Sequence, residues 1–82
     1  MDSVMTRSFL NTFLNRIRHD IEFEKSWIAE CEEEMNKSEN PFESQLYWGV
    51  IQEAKSNLIR MEGYAEALQQ NKEKTASSQA IF

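Results

Sequence analysis

Asn40-Pro41-Phe42-Glu43 is the stretch that decides how this chain folds. Asn40 carries a side-chain oxygen suited to accept hydrogen bonds from the bare amides at a helix start. Pro41 then occupies the first turn, where no amide hydrogen is missed. Glu43 stands at the third helical position, placed to complete a capping box and to meet the positive end of the dipole. A helix therefore begins near residue 41, and the chain before it turns within about Lys37 to Asn40. Connections this short make consecutive helices antiparallel neighbours.

Outward from that turn, apolar residues recur at alternating spacings of four and three. Before it stand Leu10, Leu14, Ile17, Ile21, Glu24, Ile28, Cys31 and Met35, with one polar member. After it stand Tyr47, Ile51, Ala54, Leu58, Met61, Ala65 and Leu68. A repeat of about 3.5 residues keeps one stripe of a helix facing a partner helix. The expected fold is all-α: an antiparallel two-helix hairpin of coiled-coil type, associating into a four-helix bundle. Helix one is expected near 3–36, capped by Asp2, Ser3 or Thr6, and helix two near 41–72. The segment 73–82 has no periodicity and reads as a flexible tail ending in the apolar Ala80-Ile81-Phe82. A turn centred near Ser38 favours opposing Ile28 to Tyr47, Ile21 to Ala54 and Leu14 to Met61, which sets Glu24 against Ile51. Sliding helix two by one heptad gives the other open register.

Size and composition narrow the class. Eighty-two residues make one domain, near the limit at which a single core suffices. One cysteine excludes an intramolecular disulfide, and Cys31 on the seam reads as a small buried hydrophobe. Association is the stabilising route left open. Charges interrupt every apolar run, so membrane insertion is not expected, and neither a signal peptide nor a lipidation motif is present. A cytoplasmic location is the resulting expectation.

Once the seam is filled, apolar material remains. Phe9, Phe13, Arg16, Asp20, Phe23 and Trp27 form a second stripe on one flank of helix one, with Arg16 and Asp20 spaced to interact across one turn. Helix two adds Trp48 and Ile59 on one flank and Tyr64 on the other. Contiguous exposed apolar surface marks an interface, so Phe9, Phe13, Phe23, Trp27, Trp48 and Ile59 are the candidate partner-binding residues. Gly49, Ser56 and Gly63 recur at sevens on the face of helix two opposite the seam, a candidate site of close backbone approach. Each glycine costs about 1 kcal/mol there relative to alanine.

The net charge of −5 is unevenly spread. Residues 1–19 carry +2, residues 20–43 carry −7, and the remainder is neutral. Hairpin folding gathers Glu30, Glu32, Glu33, Glu34, Glu39 and Glu43 into an acidic tip, while Arg7, Arg16 and Arg18 lie toward the open end. Such a tip can steer a basic partner, or simply keep the domain solvated. Direct nucleic-acid binding is disfavoured by the same balance.

No catalytic constellation is expected. His19 is the only histidine, and no serine or cysteine stands at fixed spacing from it. The chain lacks the Glu-x-x-His pairs of bundle metal sites and any glycine-rich phosphate loop, so neither metal nor cofactor is expected. The leading expectation is a non-catalytic regulator or inhibitor that docks on a larger protein, as a homodimer or higher homo-oligomer. Phage inhibitors, secretion chaperones and assembly subunits share this shape. The alternatives are an oligomer that sandwiches a small anion such as a nucleotide between aromatic rings and arginines, or a structural subunit of a larger assembly.

Overall fold

The computed structural model describes the backbone of residues 7–81 and the side chains of residues 7–73. Two helices account for nearly all of it: α1, Arg7–Lys37, and α2, Pro41–Ile81. The caps expected at Asp2, Ser3 or Thr6 lie outside the described residues. Asn40 caps α2 as its chemistry dictates. Its Oδ1 accepts from the amides of Phe42 at 2.9 Å and Glu43 at 3.5 Å. The return half of the capping box differs from expectation, because the Asn40 amide donates to Ser38 Oγ at 3.3 Å. A nearby serine takes the role assigned to Glu43.

The Ser38 amide also bonds to the carbonyls of Glu34 and Met35, which closes α1 one residue later than expected. At the far end, α2 runs to Ile81, beyond the 72 at which its apolar periodicity stops. Residues 72–81 contain neither glycine nor proline, and Lys, Glu, Gln and Ala are good helix formers. Periodicity reports burial. A helix can outlast it.

The seam is the expected one. Leu10, Leu14, Ile17, Ile21 and Leu68 form one buried cluster, joined by Leu58, Met61 and Ala65. Ile28, Cys31, Ile51 and Ala54 form a second, joined by Met35, Tyr47 and Leu58. No polar or charged residue is buried among those described. Half-buried Glu24 occupies the gap between the clusters, where its stem covers apolar surface and its carboxylate reaches water.

Register is where the turn-based preference fails. Ala54 packs with Ile28 and Cys31 rather than with Ile21, and Leu68 reaches the cluster of Leu10 and Leu14. Those contacts fit the slid alternative, with Ile28 facing Ala54, Cys31 facing Ile51, Glu24 facing Leu58 and Leu14 facing Leu68. Lys55 accordingly approaches Glu32 at 3.9 Å rather than drawing Glu24 outward. The turn does not decide it: with α1 extended through Lys37 its centre is Glu39, which falls between the two registers, and side-chain packing selects the slid one. The whole rod measures 63 × 17 × 17 Å.

Candidate protein interface

A hairpin of two rods has two broad faces, one on each side of the seam, and the sequence makes them unlike. On the first face Phe13 of α1 lines an open cleft with Tyr64, Ala67, Leu68 and Asn71 of α2. Fourteen residues after Phe13, on the same stripe, Trp27 lines a second cleft with Cys31, Glu34 and Tyr47. Phe9 packs edge-on against Phe13, with ring centroids 5.9 Å apart and planes at 76°. That geometry sets the positive ring edge against the negative face. Phe23 projects outward from the same stripe and is 76% exposed.

Helix α2 contributes more to this face than expected. Val50 lies fourteen residues before Tyr64, on the same stripe, and Leu46 lies one turn earlier. Both are exposed. Neither was singled out by the sequence reading, because α2 carries apolar residues around most of its circumference and shows little contrast. The available signal was the four-residue spacing of Phe42, Leu46 and Val50. The Arg16–Asp20 pair expected on α1 does not form, and neither makes an ion pair among the described residues.

The second face is polar and cross-linked. Arg18 Nη2 donates to Gln69 Oε1 at 3.1 Å, Lys55 meets Glu32, and Lys25 meets Glu22 at 3.8 Å. Trp48 stands one heptad before Lys55 and Ile59 one turn after it, so both belong to this side. The structure therefore separates Trp48 and Ile59 from the patch of Phe9, Phe13, Phe23 and Trp27. Trp48 instead lines a cleft beside the turn with Met35, Pro41, Ser44 and Gln45.

The acidic tip is assembled at the turn, with the six glutamates at least partly exposed. Lys37 sits among them, 3.2 Å from Glu33 and 3.8 Å from Glu34. As the last residue of α1 it also complements the negative end of the dipole, which Glu34 in the same turn opposes. Exposed pairs of this kind contribute about 0.5 kcal/mol or less. Opposite the seam, a methyl group added at Gly49 or Gly63 would meet nothing within 4 Å. The hairpin itself does not need either glycine.

Cys31 is buried in the second cluster. Its thiol is pushed above the ordinary range, first by burial and then by the Glu30 carboxylate. A thiol held neutral is a poor nucleophile and packs as a hydrophobe. His19 is exposed on the outer side of α1. Among the described residues no group of three or more acidic, histidine or cysteine side chains is placed to hold a metal ion. Among them, too, no helix is long and apolar enough to cross a membrane.

No family model matches the chain, and no curated protein or solved structure matches it either.

Proposed function

We propose that this hairpin is a non-catalytic binding protein, a regulator or inhibitor that docks on a larger protein through its aromatic flank and its acidic tip. One observation carries the reading. Phe9, Phe13, Phe23 and Trp27 stay substantially exposed, from 37% for Phe13 to 76% for Phe23, although the seam beside them buries nine apolar side chains. Soluble domains rarely leave contiguous aromatic surface uncovered unless something binds it. The tip adds long-range attraction for a basic surface, which raises encounter rates more than final affinity.

A photo-reactive phenylalanine analogue in place of Phe42, beside the tip, tests this in cells that make the protein naturally. The expected product is an adduct with a chain larger than the hairpin. It should be lost when Glu33, Glu39 and Glu43 are changed to glutamine. Adducts that ignore those charges, or form only between hairpins, overturn the reading. A thermal-shift panel of nucleotides separates the small-anion alternative. Micromolar binding at a hundredfold excess over Kd would stabilise the fold by about 2.7 kcal/mol, whereas docking on a protein predicts no shift.

A further inference from the structure

The apolar broad face is large enough for a stable interface. At about 1.5 Å per residue, α1 is roughly 46 Å long. Across the 17 Å width of the rod this gives roughly 800 Å², one partner's share of a standard interface. Its charges are ordered along the rod. Toward the open end lie Arg16 and Arg60, with Asp20 between their levels; toward the turn lie Glu30, Glu34 and Glu53. Arg16 makes no ion pair among the described residues, and Arg60 donates to the neutral Asn57.

A second copy laid on this face in the same direction would set glutamates against glutamates. Turned end for end, it sets each arginine against the partner's glutamates, two attractive pairs per copy against the one like-charge approach of Asp20 to the partner's Glu30, and a twofold axis repeats every contact. The two helices agree on where that axis falls. Bringing Arg16 to Glu34 of the partner subunit places it midway between Phe23 and Trp27. Bringing Arg60 to Glu53 of the partner subunit places it beside Ser56 and Asn57. The hairpin register sets Ser56 between the residues that face Glu24 and Ile28, which is the same level. Phe23 of one copy then meets the partner's Trp27 at the centre, where aromatic anchors concentrate binding energy.

We infer that a second copy of this chain covers the apolar face, turned end for end, in an antiparallel four-helix bundle centred between Phe23 and Trp27. This rests on the reading above that the aromatic face is a protein interface, and narrows it by giving that face to a second copy rather than to the larger protein. It leaves Glu32, Glu33 and Glu39 of the acidic tip, with Phe42 and Trp48, off the covered face for a larger protein.

Light scattering at about 100 µM should give twice the chain mass of 9.7 kDa. Phe23→Ser with Trp27→Ser should raise the dimer Kd at least 100-fold while helicity persists. Arg16→Glu, which touches no core residue, should raise it about tenfold and guards against a folding defect in the double variant. Orientation is read from spin labels on Glu39→Cys in a Cys31→Ala background. End-for-end packing separates the labels by about 45 Å or more, roughly one α1 length. A monomer, or a dimer indifferent to both variants, overturns the inference but leaves docking on a larger protein standing. Labels within about 25 Å overturn the orientation. Loss of the Phe42 adduct with larger chains while the dimer persists would instead remove the proposed function alone.

Discussion

The two broad faces of this hairpin are built from the same two helices, yet one is cross-linked by polar side chains and the other left greasy. On the polar face, long side chains from each rod reach across the seam: Arg18 to Gln69 and Lys55 to Glu32. On the apolar face, rings and branched side chains such as Phe13, Trp27, Val50 and Tyr64 stand partly or largely in water. Side chains that reach across a seam satisfy themselves within one molecule. Rings that cannot reach it remain available to another. The difference teaches that the hairpin, taken whole, is amphipathic in the way a single helix usually is, and at twice the width.

Five changes test that contrast. The largest should come from the seam that supports both faces. Leu14 is the most deeply buried side chain, and Leu14→Ala should cost about 2–5 kcal/mol. Urea denaturation followed by circular dichroism would register it as loss of most of the folded signal at physiological temperature. An unchanged midpoint would mean the seam is not the core. Next is the apolar face itself, where Phe23→Ser with Trp27→Ser should abolish association without moving the unfolding midpoint of the isolated hairpin.

Smaller effects follow. Glu24→Leu should join the two core clusters and stabilise the fold by roughly 1–2 kcal/mol, since apolar burial replaces a half-buried carboxylate. Gly49→Ala and Gly63→Ala should each add up to about 1 kcal/mol, because alanine suits a helix interior and the added methyl meets open space. A loss of association in either variant would show instead that another backbone approaches there. The smallest effect belongs to the polar face: Lys25→Ala and Lys55→Ala should shift stability by no more than about 0.5 kcal/mol. A larger loss would make the two faces more alike than their geometry implies.

Cys31 adds a pH dependence with a definite sign. Burial raises the folded thiol above its ordinary value of 9.0. Above about that pH the unfolded chain releases a proton that the folded chain keeps, so stability falls as pH rises. Cys31→Ala should remove that alkaline component, and alkylation of the native protein at pH 8 should be slow.

Much of this was legible in the residues. The cap of Asn40, the inert place of Cys31 and all nine buried core residues follow from spacing and side-chain chemistry. Leu46 and Val50 do not stand out as part of the apolar face, since α2 carries apolar residues around most of its circumference and shows little contrast between its flanks. The helical stretch from 73 to 81 was missed for a related reason, because burial and helicity were read from one signal.

The amino-acid order alone specified two helices, where the chain reverses, and which stripe of each is hidden, because those depend on neighbours within a turn or two. Only tertiary packing decided the slide of one rod along the other and, with it, which side chains of the two rods stand level. A pattern that repeats every seven residues is degenerate to shifts of seven, and only the fit of interlocking side chains removes that ambiguity.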